Sequence, residues 1–264
     1  MKKKIGFVGA GNMGSALICG AVNKAGFSCE DIFVHSLVVS DKVKELNINV
    51  TDLKDLVGKS DYIILCIKPA GFENLLSEIK SVEGYDSKIY ISIAAGITIG
   101  YIKSILGNVK VIRTMPNLPL VAGAGMTVMA KDNLVRDNEF ELADKLFSGA
   151  GKTLSMDERL IDTCTAVNGS GPAYVFMFIE ALADAAVKGG IPRDKAYILA
   201  AQTVMGSALM QLETQMHPAA LKDMVCSPGG TTIDAVSSLE KDGFRSAIIS
   251  AVDVCAKKAR DLGN

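Results

Sequence analysis

Residues 4–14 read KIGFVGAGNMG, an apolar run followed at once by the spacing Gly9-x-Gly11-x-x-Gly14. The run predicts a buried β-strand over residues 4–8, and the residues after Gly14 continue as a helix. In that context the first glycine makes a tight turn, the second lets the backbone approach a pyrophosphate, and the third lets helix and strand pack closely. The helix N-terminus offers unpaired N–H groups and a favourable dipole to an anion. The stretch therefore predicts a dinucleotide-binding Rossmann domain.

Apolar periodicity divides the rest of the chain into two parts. From residue 3 to about 155, short β-branched runs alternate with helical patterns, which is typical of a parallel sheet covered by crossover helices. The predicted strands cover residues 4–8, 32–35, 62–67, 88–93, 109–113 and 126–129, with a weaker one at 152–154. Helical periodicity then covers 174–188, 193–215, 218–225, 231–239 and 244–262. We expect an α/β protein with a doubly wound Rossmann domain in residues 1–156 and an all-helical domain in 157–264.

Composition and charge exclude several classes of function. The chain has 264 residues and a net charge of −1, with acidic and basic residues interspersed, so no field attracts nucleic acid or an anionic membrane. Six cysteines without a C-x-x-C pair predict reduced thiols in the cytoplasm. Two histidines leave a zinc site with few ligands, and we expect no metal. The most apolar stretch, 173–187, carries Glu180 and Asp184 and is too short to span a membrane.

The helical part is apolar around most of each helix, as in residues 198–209, which read ILAAQTVMGSAL. A helix that is apolar on most of its circumference must be buried on most sides. A single copy of this part is too small to bury so much apolar helix surface, so we predict an obligate homo-oligomer that forms through the helical domain.

The end of the second predicted strand bears on the choice between NAD and NADP. An acidic residue that holds an NAD ribose is expected there, and the sequence instead reads His35-Ser36-Leu37. A serine donates a hydrogen bond to a 2′-phosphate without repelling it, and Lys42 and Lys44 lie nearby in sequence, so NADP is favoured. The alternative is that the strand continues through residue 39 and Asp41 holds an NAD ribose.

Three further strand ends lie at the edge of the sheet where ligands bind in doubly wound folds. Lys68-Pro69 follows the third predicted strand, and Ala94-Ala95-Gly96 follows the fourth, where small side chains would let a flat ring lie close to the backbone. An ordinary solvated lysine and an ordinary turn are the structural alternatives. Arg113 ends the fifth strand, where an arginine more often pairs with a structural carboxylate than binds substrate.

Residues 227–232, SPGGTT, form a turn that leads directly into a new helix. We expect the N–H groups of Gly230, Thr231 and Thr232 to be unpaired there, which would make a cradle for a small carboxylate. The alternative is a Thr-capped helix with nothing bound.

Together these stretches resemble the pyrroline-5-carboxylate reductase family over essentially the whole chain. The motifs that carry the resemblance are the glycine turn, Lys68-Pro69, Ala94-Ala95-Gly96, GSGPAY at 169–174 and, above all, the segment 218–240. The resemblance implies that the cofactor contacts Val8, Gly9, Ala10, Gly11, Asn12, Met13, Gly14, Ser36, Cys66, Ile67, Lys68, Pro69, Ile93, Ala94 and Ala95. It implies substrate contacts from Glu158, Gln215, Gly230, Thr231 and Thr232. Leu53 stands where many members carry Asn, and Gln215 stands where a Glu can occur.

The resemblance also implies a reaction and an assembly. The expected reaction is reduction of 1-pyrroline-5-carboxylate to L-proline, the last step of proline biosynthesis, with NADPH as reductant and NADH as the alternative. We expect Thr232 to be catalytic through a hydrogen bond to the ring nitrogen, and we expect homodimers or rings of dimers. A rival enzyme is a hydroxyacid or 6-phosphogluconate dehydrogenase, which needs a lysine in the helical part, where Lys188 and Lys195 are the candidates. A rival from another class is a cofactor-binding protein without turnover.

Overall fold

The computed structural model describes residues 3–263, and side chains up to residue 261. Two compact units divide the chain: one holds the residues up to Ser170 together with those from Val254 onward, and the other holds Gly171–Asp253. The expected boundary between residues 156 and 157 is a sequence-based division, and it stays a prediction. Below, the first unit is called the sheet unit and the second the helical unit.

The sheet unit contains one eight-stranded sheet, in the order β3-β2-β1-β4-β5-β6-β7-β8. The strands are β1 Ile5–Ala10, β2 Ile32–Val39, β3 Asn49–Val50, β4 Tyr62–Leu65, β5 Ile89–Ser92, β6 Lys110–Met115, β7 Gly125–Lys131 and β8 Gly151–Ser155. The first six are parallel, and the order reverses between β1 and β4, which is the switch point where ligands bind in this architecture. The predicted α/β doubly wound fold is therefore confirmed.

Three features of the sheet depart from the sequence-based expectation. β7 pairs antiparallel with β6, because the short connection from Met115 to Gly125 contains only a 3₁₀ turn and no crossover helix. β3 has only two residues, so it leaves no periodic pattern in the sequence. β2 is longer than predicted and runs to Val39.

Helices cover both faces of the sheet. They are α1 Asn12–Asn23, α2 Asp41–Lys44, α3 Leu53–Lys59, α4 Phe72–Lys80, α5 Ile99–Leu106, α6 Asp137–Ser148 and α7 Ile161–Cys164. Leu17 of α1 and Phe147 of α6 share one buried core with alternate strand residues, and Leu56, Leu76 and Ile102 share the other. Since parallel strands are buried on both faces, their near-continuous apolar runs follow from this arrangement.

The helical unit contains α8 Gly171–Lys188, α9 Arg193–Thr214, α10 Pro218–Val225, α11 Thr231–Lys241 and the start of α12 Phe244–Gly263. α8 packs on α9 around Ala183, Ala196 and Ala200, which are its buried apolar residues. Many large apolar side chains of this unit are exposed instead: Val175, Phe176, Met177, Phe178, Tyr197, Ile198, Leu199, Met205, Leu209, Met210, Leu212, Met216, Met224, Val225, Leu239, Phe244, Ile248 and Ile249. Exposed apolar surface on this scale marks an interaction surface.

Candidate active site

The glycine turn joins β1 to α1 at the switch point of the sheet. Gly9 has a φ of +99°, and a Cβ there would lie 2.6 Å from the carbonyl oxygen of Cys66, so only glycine fits. A Cβ on Gly14 would collide with the carbonyl oxygen of Gly9, which explains the third glycine. A Cβ on Gly11 would meet no atom within 4 Å. The turn is therefore packed against protein at Gly9 and Gly14 and open at Gly11, the glycine that is expected to approach a pyrophosphate.

The start of α1 is suited to an anion. Gly11 is its N-cap and supplies no side-chain hydrogen bond, and no acidic residue lies in the first turn. The first amides of a helix have no intrahelical acceptor, so those of Asn12 and Met13 remain for a ligand. The donors and the open space above Gly11 fit the pyrophosphate of a dinucleotide.

Ser36 lies in a bulge where the pairing between β1 and β2 shifts register. Its hydroxyl accepts a hydrogen bond from the Ala10 amide at 3.0 Å and donates to the Val38 carbonyl at 2.7 Å. A hydroxyl has only one proton to donate. The Ser36 hydroxyl could therefore donate a hydrogen bond to a 2′-phosphate only if its bond to the Val38 carbonyl were broken. Leu37 and Val38 are strongly exposed beside it.

The alternative ribose ligand, Asp41, follows β2 after Ser40. β2 does continue through residue 39, as that alternative requires. The Asp41 carboxylate is exposed and accepts a hydrogen bond from Lys44 at 2.9 Å, which lowers its pKa. Lys42 lines a groove of about 640 Å³ that runs along α1. Of the two lysines expected to assist a phosphate, Lys44 is therefore already paired with Asp41.

The ends of β4 and β5 contribute the other predicted cofactor residues. Cys66 and Ile67 lie against Gly9, and burial raises the pKa of the Cys66 thiol. Lys68 is exposed and precedes a 3₁₀ turn that begins at Pro69. After β5, the Ala94 amide donates to the Ser92 hydroxyl at 3.3 Å. Because β4 and β5 are parallel neighbours, these two loops leave the sheet at the same edge.

The predicted carboxylate cradle lies at the start of α11 in the helical unit. Gly229 has a φ of +64°, and Gly230 is the N-cap without a side-chain hydrogen bond, so the helix is not Thr-capped. The expectation that the Gly230 amide is unpaired is wrong, because it donates to the Ser227 carbonyl at 3.0 Å. The amides of Thr231 and Thr232 open the helix, where no intrahelical acceptor exists. The cradle thus has two backbone donors rather than three.

The structure gives Glu158 contacts of its own within the sheet unit. Its Oε1 accepts the Ile99 amide at 2.7 Å and lies 3.6 Å from Nη1 of Arg113. Gln215 is the C-cap of α9, is exposed and has a φ of +54°. The sequence left the role of Arg113 open between pairing with a structural carboxylate and binding substrate. The structure pairs it with Asp162 at 2.5 Å, and its side chain is 3% exposed.

Sequence reasoning missed a polar cluster at the end of β6. The Asn168 amide donates to the carbonyl oxygens of Met115 and Met126, and Asn117 donates to the Asn168 side chain at 2.9 Å. Asn168 lies in a π-helical turn, Thr165–Gly169, a geometry that is frequent at functional sites. The motif GSGPAY at 169–174, which begins directly after Asn168, was the nearest stretch that the sequence analysis had singled out.

A doubly wound sheet with an open glycine turn and an uncapped helix at its switch point defines a dinucleotide-binding protein. Residues 4–96 match the family model described as NADP oxidoreductase, coenzyme F420-dependent, and residues 158–262 match the one described as pyrroline-5-carboxylate reductase dimerisation.

Full-length relatives narrow this class to one family. The chain is 46% identical to the pyrroline-5-carboxylate reductase of Escherichia coli (strain K12), over 99% of both chains, and 41% identical to that of Methanosarcina acetivorans, over 99% of this chain and 98% of the relative. A crystal structure of Plasmodium falciparum pyrroline carboxylate reductase with NADP bound matches with a TM-score of 0.89 and 32% identity, over 100% of this chain and 99% of that one. The chain belongs to the pyrroline-5-carboxylate reductase family.

Proposed function

We propose that this protein reduces 1-pyrroline-5-carboxylate to L-proline with NADPH, the final step of proline biosynthesis. The observation that carries the proposal is full-length membership in the reductase family combined with an intact glycine turn that is open only at Gly11. NADPH, when bound, supplies a hydride for the carbon of the C=N bond. NADH is the alternative reductant.

The residues proposed to hold the cofactor belong to four neighbouring strands of the sheet unit, β2, β1, β4 and β5, and to the loops that follow them. Backbone amides at the start of α1 bind the pyrophosphate, and Ser36 lies beside the ribose. Small or apolar residues after β4 and β5 border the nicotinamide. The full set is Val8, Gly9, Ala10, Gly11, Asn12, Met13, Gly14, Ser36, Cys66, Ile67, Lys68, Pro69, Ile93, Ala94 and Ala95. Support comes from the parallel pairing of β1 with β4 and of β4 with β5, which brings these ends to one edge.

The residues proposed for the substrate are Glu158, Gln215, Gly230, Thr231 and Thr232. The two helix-opening amides of α11 receive the carboxylate, since that position favours a negative charge. The Thr232 hydroxyl hydrogen-bonds the ring nitrogen as it becomes an amine. A protonated imine is already electrophilic, so the protein mainly orients two rings and excludes water, and positioning alone accounts for much of a rate enhancement.

A spectrophotometric assay tests the proposed function. Oxidation of NADPH is followed at 340 nm on addition of 1-pyrroline-5-carboxylate, with NADH in parallel and a 2-hydroxy acid with NADP as the rival dehydrogenase substrate. We expect oxidation that depends on 1-pyrroline-5-carboxylate and faster turnover with NADPH. Binding of NADPH without any oxidation would favour a cofactor-binding protein instead.

Replacement of Thr232 tests its proposed role. We expect Thr232→Ala to lower kcat/KM for 1-pyrroline-5-carboxylate about 10-fold or more, because a hydrogen bond to the developing amine is lost. Thr232→Ser, which keeps the hydroxyl, is the matched control and should retain most activity. Unchanged steady-state parameters in Thr232→Ala would exclude the hydroxyl from the reaction.

We further propose that the protein acts as a homodimer through its helical unit, with rings of dimers as the larger assembly. The dimerisation match over residues 158–262 and the exposed apolar side chains of α8 and α9 support this. The stretch 173–187 was expected to be too short to span a membrane, but it belongs to a longer helical stretch, Glu158–Lys188, which among the described residues is long and apolar enough to cross one by length and composition alone. This stretch lies within the residues that match the dimerisation model, so we propose that a second copy of the chain covers its apolar surface. Six free cysteines support a reducing cytoplasm.

A further inference from the structure

A buried arginine at the end of β6 has no part in the reaction proposed above. The Arg113 side chain is 3% exposed, with Nη2 2.5 Å from Oδ1 of Asp162 and Nη1 3.6 Å from Oε1 of Glu158. Its Nε is buried and has no hydrogen-bond partner among the described residues. A buried charge is tolerated when it is paired, and here one guanidinium serves two carboxylates from the segment that precedes α8.

Glu158 connects this arginine to the start of α5. Its Oε1 accepts the amide of Ile99, the first residue of that helix, at 2.7 Å. The first amides of a helix lack intrahelical acceptors, and a carboxylate there also complements the helix dipole. Thr98 accepts the Tyr101 amide at 3.0 Å. One N-terminal donor of α5 is thus satisfied locally, and another by a residue far away in sequence.

The start of α5 is also the end of the loop over residues 93–98, which follows β5. The other end of this loop is fixed at Ser92, whose carbonyl accepts the Thr114 hydroxyl at 2.9 Å and whose hydroxyl accepts the Ala94 amide. Thr114 therefore contacts one end of this loop directly, and Arg113, its neighbour on β6, is linked to the other end through Glu158. Ile93, Ala94 and Ala95, proposed above to border the nicotinamide, lie between the two ends.

We propose that Arg113 is a positioning residue, which acts through Glu158 to hold the loop over residues 93–98 where the nicotinamide ring is seated. An arginine suits this role because its planar fork reaches two carboxylates at once, whereas a lysine is a single point charge. The identity of the seated ring rests on the proposed function. The inference that Arg113 fixes the position of this loop is independent of the proposed function.

Hydrogen exchange of the full-length protein without cofactor tests the dependence directly. We expect Arg113→Lys and Glu158→Leu to accelerate exchange of the Ile99 amide about 10-fold or more, because local opening becomes easier. Glu158→Gln keeps an oxygen that accepts the Ile99 amide and should lie between them and the unaltered protein. Lys103→Met is the control. It breaks an ion pair between Lys103, further along α5, and Asp132, which follows β7, and it should leave the exchange rate of the Ile99 amide unchanged.

Kinetics with C4-deuterated NADPH test the consequence. A displaced loop should lower kcat about 10-fold and raise the deuterium isotope effect on kcat, while the Kd for NADPH changes little because the glycine turn is intact. A variant that is only less stable would show the same isotope effect as the unaltered protein. Asp162→Asn, which weakens the other ion pair of Arg113 and leaves Glu158 unaltered, provides this readout if Arg113→Lys fails to fold.

Three results separate the possible failures. Unchanged exchange at Ile99 in both Arg113→Lys and Glu158→Leu would overturn the proposal. Faster exchange with an unchanged kcat and isotope effect would also overturn it, because the loop would then not govern seating of the ring. Absence of NADPH oxidation by the unaltered protein would refute the proposed function alone, and the exchange experiment would still decide whether Arg113 holds the loop.

Discussion

The sheet unit and the helical unit bury their apolar residues in opposite ways. The sheet unit encloses large side chains such as Phe7, Phe72, Tyr90 and Phe147 almost completely. The core between α8 and α9 is instead built on small alanines, and Phe176, Ile198 and Met205 are exposed. Burial of apolar area drives folding. The sheet unit buries its large apolar side chains within itself, whereas the helical unit needs the surface of another molecule to cover its own. The sheet unit is therefore suited to binding the cofactor, and the helical unit is suited to forming the oligomer.

The largest effect should follow from placing a charge on the exposed surface of the helical unit. We expect Ile198→Glu in α9 to lower the association constant of the oligomer at least about 100-fold, because burial of an unpaired carboxylate is unfavourable. Sedimentation velocity across a range of concentrations measures this change. Val50→Glu in β3 of the sheet unit replaces a comparably exposed residue and should leave the oligomer intact. Equal behaviour of the two variants would break the comparison between the units.

A smaller effect should separate two glycines of the same turn in the sheet unit. Gly11→Ala adds a methyl group in open space, so we expect the free energy of unfolding to fall by about 1 kcal/mol or less. The affinity for NADPH should fall about 10-fold or more, because the methyl group occupies the approach to the pyrophosphate. Gly9→Ala should mainly destabilise the protein, by about 1–3 kcal/mol, because of its positive φ.

Isothermal titration with NADPH and denaturant unfolding of both variants measure these effects. Gly11→Ala with unimpaired NADPH binding would mean that the open space is not the pyrophosphate site.

The smallest effect concerns acid stability, which we assign to the sheet unit. Burial by itself would raise the pKa of Glu139, but hydrogen bonds from Arg136 and Lys110 lower it to about 2 from an ordinary 4.5. A carboxyl whose pKa is lowered by folding contributes stability above its unfolded pKa, and that contribution is lost as the pH falls from about 4.5 towards 2. Glu139→Gln should therefore lower the free energy of unfolding by about 1 kcal/mol at pH 7, and by less as the pH falls through that window.

Denaturant unfolding at a series of pH values checks this prediction. Glu141→Gln, an exposed position on the same helix, is the control and should follow the unaltered protein. A constant difference between Glu139→Gln and the unaltered protein from pH 7 to pH 3 would refute it.

Local patterns in the sequence predicted most of the elements but not their finer pairing. The strand at residues 32–35 was predicted too short, because the bulge at Ser36 interrupts the apolar pattern before the strand ends at Val39. The orientation of β7 depends on the length of a connection rather than on a residue pattern. At the cradle, the turn over residues 227–230 was predicted, but the hydrogen bond that removes the Gly230 amide was not.

The sequence by itself determined the dinucleotide turn, the alternation of strands and helices, and the apolar excess of the helical part. These features depend on residues close together in the chain, through turn chemistry and the periods of strand and helix. Only the tertiary structure decided that Arg113, Glu158 and Ile99 meet, that Ser36 donates its proton within the bulge of β2, and that the α8 and α9 pair leaves its largest side chains uncovered. The first depends on residues brought together by the order of the strands, the second on a local bulge, and the third on which helix faces pack. Spacing along the chain leaves no signature of any of them.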